Sequence, residues 1–276
     1  MIALILAAGF GKRLKPFTEK FPKPLVPVNG VPLILYTLAF LKRNGVKDIV
    51  INLHHLGKEI PKLLGNGCAL GLKIRYSHEP KILGTGGGIK KVLRMVKDDD
   101  VLVINGDVIV DFDLKGLVKR HKKSKNLMTF ALYDHPQKKK YGLLSYEGEK
   151  LTSFLGEPKP GPKAKQAMFA SYNIISKSRT RERFRALPDD AAFCIIRDVA
   201  MPELCLTRAF GAYEVKGYWT VCDNLADVAQ AEANLSRPRF HLSYESELAV
   251  LMQRLHSKRI LEWIHRVHRS SKVVGN

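Results

Sequence analysis

The chain has 276 residues, 45% of them hydrophobic, with 46 Lys and Arg against 26 Asp and Glu, a formal charge of +20. This composition is enough for a large core in one or two domains, and it excludes low-complexity, collagen-like and fixed-period repeat architectures. The basic excess suits polyanions such as nucleic acid, anionic lipid or phosphorylated small molecules, or else a plain solvated surface.

The four cysteines, Cys68, Cys194, Cys205 and Cys222, form no CxxC pair and no zinc-type spacing. They are expected to be ordinary thiols of a reducing compartment. "IALILAAGF" at the start has its positive charges after the apolar run, the wrong order for a signal peptide. No apolar run approaches the ~20 residues that span a bilayer. A soluble cytoplasmic protein is expected. The basic runs "KRHKKSK" (119–125) and "KKK" (138–140) carry no interleaved aromatics, so stacking on bases is not suggested. The first resembles an exposed helix end and the second a loop.

In chain order, "IALILA" (2–7) is a continuous apolar run ending at glycine, as a buried parallel strand does. "VPLILYTLAFLKRNG" is a helix between Pro32 and Gly45. Strands follow at 47–53, 72–77 and 100–106, with a helix in "GTGGGIKKVLRMV". Such alternation predicts a doubly wound α/β sheet. Beyond about residue 127 the pattern turns β-rich through "LMTFALYD", "GLLSYE", "KLTSFLG" and "AMFASYNIIS". Helices near 177–186 and 195–206, the strand "AFGAYEV" and the helix "NLADVAQAEANL" close the main body. The expected division is a domain over 1–236, with halves of about 1–126 and 127–236, and a basic helical tail over 237–276.

The first strand ends near Ala7 or Ala8, which puts Gly9-Phe10-Gly11 at the carboxyl edge of the sheet, where open α/β sheets bind ligands. Glycines there let backbone N–H groups form an anion nest, and Lys12, Arg13 and Lys15 follow at once. By itself a GxG is weak, and most are plain turns. Gly11-Lys12-Arg13 lacks the Ser or Thr of a Walker A loop, and Leu14 stands where a third glycine of GxGxxG would be.

The whole stretch is more specific. Leu6-Ala7-Ala8-Gly9-Phe10-Gly11-Lys12-Arg13-Leu14-Lys15-Pro16-Phe17-Thr18, then Pro22-Lys23-Pro24-Leu25-Val26-Pro27-Val28, resembles the signature of the sugar-1-phosphate nucleotidyltransferases. The resemblance continues through "EPKILGTGGGI" (79–89) and "VINGDV" (103–108) and covers roughly residues 1–235. It is strongest toward the N-acetylmuramate 1-phosphate uridylyltransferase and the mannose or heptose 1-phosphate guanylyltransferase types. It implies a Rossmann-like, GT-A-like domain with a mixed sheet. It also implies Mg²⁺-dependent transfer of a nucleoside monophosphate from an NTP, UTP or GTP, to a sugar 1-phosphate, for cell-envelope glycan precursors.

By the same resemblance, Ala8, Gly9, Gly11, Lys12 and Arg13 cradle the triphosphate, and Arg13 and Lys23 are catalytic. Arg13 offers a planar fork to the β and γ phosphates, and Lys23, fixed between prolines, reaches the α and attacking phosphates. Lys15 is taken as surface charge. The base is expected against Gly84, Thr85 and Gly86, with Glu79 accepting from its edge. Gly142, Glu157, Lys159 and Asn173 stand where the family has sugar contacts, although Glu157-Pro158-Lys159 inverts the usual E-K-P and Ser171 replaces a frequent glycine.

Asp107 in "NGD" follows a strand, where a carboxylate holds Mg²⁺ or forms a turn. With the resemblance it is the first metal ligand. The family's second Asp falls on Val221 of Trp219-Thr220-Val221-Cys222-Asp223-Asn224. Asp223 is the substitute ligand, or the N-cap of the helix starting near Asn224 or Leu225. The missing Asp leaves open a degenerate nucleotide-binding relative without turnover, and the charge leaves open a nucleic-acid binder.

The tail, "SYESELAVLMQRL" and "KRILEWIHRVHR", has helical apolar spacing, including Ile260, Trp263, Ile264 and Val267, with Ser243 as a cap. It is expected to pack on its own domain, with a homodimer contact or an anionic membrane surface as alternatives.

Overall fold

A computed structural model of the chain describes residues 1–97, 100–255 and 262–263. In chain order the elements are β1 (Ile2–Leu6), the short strands β2 (Pro27–Val28) and β3 (Val31–Pro32), α1 (Leu33–Arg43), β4 (Asp48–Leu53), α2 (Glu59–Leu64), β5 (Lys73–His78) and α3 (Gly84–Met95). Then come β6 (Asp100–Asn105), β7 (Val108–Phe112), α4 (Leu114–Lys123), β8 (Met128–Tyr133), β9 (Leu143–Glu147), β10 (Lys150–Phe154), β11 (Lys165–Ser176) and α5 (Lys177–Arg185). A π-type turn (Ile195–Ala200) leads into α6 (Met201–Thr207), followed by β12 (Phe210–Glu214), β13 (Gly217–Val221), α7 (Leu225–Leu235) and α8 (Glu245–Leu255). The fold is α/β with a mixed sheet.

These elements form two compact units, each discontinuous in sequence. The first takes Met1–Leu4, Lys81–Asn105 and Phe112–Trp219; the second takes Ile5–Pro80, Gly106–Asp111 and the chain from Thr220 on. The chain passes between them inside β1, after Pro80, after Asn105, inside β7 and inside β13.

In the second unit the strand order is β5-β4-β1. β4 and β5 are parallel, in register from Asp48 against Lys73 to Leu53 against His78. Parallel strands of this kind are apolar on both faces, and Ile49, Val50, Ile51 and Leu53 are all buried. α1 is buried along its whole length from Leu33 to Leu41, as a helix apolar all round must be. Its chain reverses at Gly45, where φ is +78°, and Val46 N–H donates back to Leu41 O at 2.9 Å. α8 packs on α1 through the Phe40 and Tyr244 rings, 5.6 Å apart, and through Arg43 to Glu247 at 3.5 Å. The first tail helix therefore packs on its own unit. Ser243 does not serve as the expected cap: its N–H and hydroxyl both donate to the Asp111 carboxylate, at 2.5 and 2.7 Å. Of the second predicted tail helix, only Glu262 and Trp263 lie among the described residues.

In the first unit the strand order is β1-β6-β11-β8-β12-β10-β9. β12 runs parallel to β8, and β11 runs antiparallel to both β6 and β8. β11 is twelve residues long and changes partner along its length: Lys165–Met168 pair with β9, and Tyr172–Ser176 with β6. The change occurs at an irregularity between Phe169 and Asn173, where Ser171 has φ +65°. A bulge with one left-handed residue bends a strand in this way. Ser171, which replaces a frequent glycine of the resembling family, thus stands where glycine is the unstrained choice.

Ser171→Gly should therefore stabilise the fold. Relief of a left-handed β-carbon is worth about 1 kcal/mol, against loss of one long 3.3 Å contact from Asn105 Nδ2. Thermal melts should show Tm rising by about 2–4 °C, and Ser171→Val should lower it. An unchanged or lower Tm for the glycine variant would contradict the strain at this bend.

Candidate active site

The second unit builds the opening stretch on the ends of β1 and β4. Ala7 N–H donates to Asn52 Oδ1 at 2.6 Å, and Asn52 Nδ2 donates to Glu79 Oε1 at 2.8 Å. Glu79 N–H closes the link on Leu53 O at 2.7 Å. Asn52 and Glu79 are both buried. A buried carboxylate needs such a donor, and here it steadies the Asn52 clamp on the start of the loop. The expected base reader Glu79 is thus engaged inside the unit.

Gly11 has φ +62°, and a β-carbon there would stand 2.8 Å from Thr18 Cγ2 and 3.1 Å from Lys23 Cβ. Thr18 Oγ1 donates to Gly11 O at 2.9 Å. Gly11 is thus glycine for two reasons, backbone conformation and close approach. Gly9 differs: nothing lies within 4 Å of its would-be β-carbon. Ala8 is buried beside it.

Lys12–Leu14 form one 3-10 turn, anchored by fully buried Leu14, whose N–H donates to Gly11 O at 2.9 Å. The anchor leaves the Arg13 side chain 70% exposed. Lys12 Nζ lies 5.7 Å from the centroid of the Phe10 ring. Lys15 pairs with Glu19 at 3.2 Å, the surface role expected for it.

Lys23 opens a second 3-10 turn, Lys23–Leu25, whose Pro24 and Leu25 are buried. Pro22 sets the entry angle at φ −68°, and Leu25 N–H donates to Pro22 O at 2.9 Å. Asp107 follows Gly106, whose N–H donates to Leu6 O at 3.0 Å. A β-carbon at Gly106 would stand 2.9 Å from that same oxygen, so "NGD" needs its glycine. Cys222 N–H donates to Asp107 O at 2.9 Å, which brings Asp223 beside Asp107.

The four charged groups meet. Lys23 Nζ donates to Asp107 Oδ2 at 2.7 Å and to Asp223 Oδ1 at 2.6 Å. Arg13 pairs with the other oxygen of Asp223, Oδ2, at 2.7 Å. Burial alone would lower the Lys23 pKa, but the charge and hydrogen bond of Asp107, then those of Asp223, outweigh it and hold the ammonium above its usual value. The stability this contributes is fully present below the ordinary lysine pKa and is lost as pH rises through the folded one. The buried Cys222 thiol is pushed up to about 12, by burial first and by Asp107 second.

Asp223 is not the helix cap. α7 is capped by Asn224, whose side chain accepts from Asp227 N–H at 3.0 Å. The Asp223 carboxylate is turned to Lys23 and Arg13 instead. One ammonium bridges an oxygen of each acid, so both face a single point that already holds a cation. Mg²⁺ takes one or two carboxylates and completes its shell with phosphates and water. This donor set fits it, and among the described residues no cluster of three or more His, Cys, Asp or Glu offers another site.

The remaining expected residues lie in the first unit. Gly84, Thr85 and Gly86 begin α3 beneath Phe193: Gly86 N–H donates to Phe193 O at 2.9 Å, and Ile195 N–H donates to Thr85 Oγ1 at 3.1 Å. A β-carbon on Gly86 would collide with the Phe193 ring. Gly142 has φ +82° and follows the Lys138–Tyr141 turn. Glu157 closes a tight turn with Phe154 (2.9 Å each way), and its side chain and that of Lys159 are exposed. Asn173 is 2% exposed, and its Nδ2 has no hydrogen-bond partner among the described residues. Near Gly142, Tyr141 lies edge-on to Trp219 at 5.4 Å, and Tyr133 stacks on the same indole at 5.9 Å.

Sequence reasoning missed Asn52, Thr18 and Phe193. A lone Asn ending an apolar strand was the available signal for Asn52. Thr18 stands within the quoted signature without a role of its own there, and nothing local marks Phe193.

The family model for nucleotidyl transferases matches residues 2–176. The chain belongs to this family. The match ends before Asp223. The chain is 48% identical over 114 residues to N-acetylmuramate alpha-1-phosphate uridylyltransferase of Neisseria meningitidis serogroup B, covering 41% of this chain and 49% of that one. It is 32% identical over 154 residues to D-glycero-alpha-D-manno-heptose 1-phosphate guanylyltransferase of Aneurinibacillus thermoaerophilus, 56% of this chain and 66% of the other. The aligned part thus spans one half to two thirds of these relatives. Among solved structures, HddC from Yersinia pseudotuberculosis complexed with GMP-PN superposes with a TM-score of 0.70 at 24% identity, over 85% of this chain and 99% of the other. UDP-glucose pyrophosphorylase from Acinetobacter baumanii gives 0.69 at 18%, over 92% and 100%. These similarities establish the nucleotidyl transferase fold.

The two loop glycines predict opposite behaviour. Gly11→Ala should cost about 1–3 kcal/mol through its left-handed φ. Gly9→Ala should stay within about 0.5 kcal/mol of the parent yet weaken NTP binding, because its β-carbon enters the space a phosphate would approach. Thermal melts and NTP titrations on the same proteins check both. Gly9→Ala with parental affinity would remove the nest from the site.

Proposed function

We propose that the protein transfers a nucleoside monophosphate from an NTP, UTP or GTP, to a sugar 1-phosphate, forming an NDP-sugar and releasing pyrophosphate. The observation that carries this reading is the meeting of Arg13, Lys23, Asp107 and Asp223, four residues from three separate segments of the chain, beside the glycine loop. In the reaction, an oxygen of the sugar phosphate bonds to the α-phosphorus while the bond from that phosphorus to the β-phosphate bridging oxygen breaks. Both reactants are polyanions, so positioning and charge compensation are the main tasks.

Backbone N–H groups at Ala8, Gly9 and Gly11 receive the triphosphate. Arg13, mostly exposed and held by one carboxylate, can swing onto the β and γ phosphates, with Lys12 beside it. Lys23 sits on a fixed turn and reaches the α and attacking phosphates. Asp107 and Asp223 would hold Mg²⁺, which neutralises phosphate charge and steadies the leaving pyrophosphate. Lys23 must then exchange its carboxylates for phosphate oxygens.

The base is assigned to Gly84, Thr85 and Gly86, and the sugar phosphate to Gly142, Glu157, Lys159 and Asn173 in the β-rich half; Glu79, buried and engaged by Asn52, steadies the loop instead of reading the base. The unpartnered Nδ2 of buried Asn173 supports that assignment, since a sugar hydroxyl would satisfy it. No helix among the described residues is long and apolar enough to cross a membrane, and the reading implies a cytoplasmic setting where NTPs are available.

The test is Mg²⁺-dependent pyrophosphate release from four NTPs against several sugar 1-phosphates. Arg13→Ala should lower turnover by roughly 10²–10³-fold with the fold intact, the usual loss of one preorganised contact. Asp107→Asn and Asp223→Asn should be equally damaging, and the double variant little worse, because groups on one ion act as a unit. A silent Asp223→Asn would remove it from the metal. A parent that binds NTP without turnover, and gains activity on Val221→Asp, would make the chain a lapsed enzyme.

Lys23 makes a separate prediction, read without catalysis. Its ammonium competes with a divalent ion for both carboxylates, so Lys23→Met should bind Mn²⁺ more tightly than the parent when no nucleotide is present. Electron paramagnetic resonance of free Mn²⁺ measures this directly. Weaker Mn²⁺ binding by the methionine variant would mean that the acids do not form an ion site.

A further inference from the structure

The first unit contains a second cationic recess. α3 contributes Lys90, Leu93 and Arg94, and α5 contributes Lys177, Arg181, Phe184 and Arg185, around a cavity of about 350 Å³. Both sets recur at three- and four-residue spacing, so each lies on one face of its helix. None belongs to the carboxylate cluster or the glycine loop. The size is that of a small-molecule site.

The five cations outnumber the acids that reach them among the described residues. Asp189 pairs with Lys90 at 2.5 Å and with Arg94 at 2.7 Å. Those two groups, the Arg94 hydrogen bond first, hold its carboxyl at about 2, so it stays charged at any working pH. Glu182 pairs with Arg185 at 2.9 Å. Lys177 donates to Val96 O at 2.6 Å, and no acid among the described residues pairs with it. Arg181 is exposed and has no ion pair or hydrogen bond among the described residues. The walls between the charged heads are apolar: Leu93 and Phe184 are each only 5% exposed. Like charges crowded around apolar walls are stabilised by an anion with an apolar body. Guanidinium groups suit a phosphate, whose oxygens they can meet two at a time.

We infer that this recess binds a small phosphate monoester or diphosphate that carries an apolar or aromatic group, with Arg181 and Arg94 on the phosphate and Phe184 and Leu93 against the body. A concave site of this size suits a soluble ligand. The phosphate head of an anionic lipid shares the chemistry, and the test separates the two.

The probe is phenyl phosphate, titrated calorimetrically into the Arg13→Ala/Lys23→Met protein so that the glycine loop contributes little. Saturable one-to-one binding is expected, several-fold tighter than inorganic phosphate. Arg181→Glu, added to that background, should weaken it by at least about tenfold for loss and reversal of a charge-assisted contact. Arg181 is exposed, so this variant should melt like its parent. Arg94→Ala should weaken it as well, which guards against a local effect of the glutamate. Absence of saturable binding, affinity unmoved by both arginine variants, or equal affinity for phosphate and phenyl phosphate would each overturn the proposal. So would binding to phosphatidic acid vesicles with none to phenyl phosphate. The double substitution at 13 and 23 keeps the result independent of the proposed transferase activity.

Discussion

Everything at the candidate site depends on holding two carboxylates next to each other. Asp107 and Asp223 approach closely enough for one ammonium to touch both. Two unit charges about 5 Å apart repel by about 3 kcal/mol at an effective dielectric of 20. The arrangement therefore favours a cation between the two acids. In the structure that cation is Lys23, with Arg13 covering the outer oxygen of Asp223. The Lys23 pairing ties its loop to segments 84 and 200 residues away. The site is consequently part of what closes the second unit, and its ligands inherit a position already shaped for positive charge.

The two basic residues are held in opposite ways, and the difference has chemical consequences. Lys23 is 13% exposed and rises from a turn whose neighbours are buried prolines and leucine. It has little freedom to lose. Arg13 stands on a turn anchored only by Leu14 and is 70% exposed. A group that must contact phosphate near a reacting centre gains from fixed placement, because small misplacements there are costly. A group that follows the outer phosphates gains from reach. Exposed ion pairs contribute little, so Arg13 can leave Asp223 at small cost.

Much of this was legible in the sequence, for identifiable reasons. β1, β4, β6 and the buried α1 follow from continuous apolar runs with glycine and proline at their ends. The short strands β7 and β13 and the helix α2 were not foreseen: each is six residues or fewer and has too few periods to stand out. α4 was visible only as the exposed basic end of a helix, because its apolar positions, Leu114, Leu117 and Val118, are few. At the site, the glycines and Lys23 were marked by local spacing. The role of Asp223 was not, since ligand and cap are both natural for an Asp before a helix. Only the side chain of Asn224, which takes the cap, and the Cys222–Asp107 backbone bond separate them. Phe193 over Gly84–Gly86 was invisible for the same reason: the contact spans more than a hundred residues.

The charge of +20 invites a direct reading as a nucleotide-handling surface, and the structure argues for a different accounting. Arg13 and Lys23 are matched one for one by Asp223 and Asp107, so this cluster is neutral before any ligand arrives. Neutrality suits the proposed reaction, in which the site would admit both a metal ion and two phosphorylated molecules, since a strongly basic site would repel the ion and release anionic products slowly. Among the described residues, cations without an acid lie elsewhere, Lys122 and Lys123 on the last turn of α4 and Lys177 and Arg181 at the α3–α5 recess, while Arg120 of α4 is paired with Glu149. The four groups of the site thus contribute nothing to the net charge, and these other cations require a separate explanation.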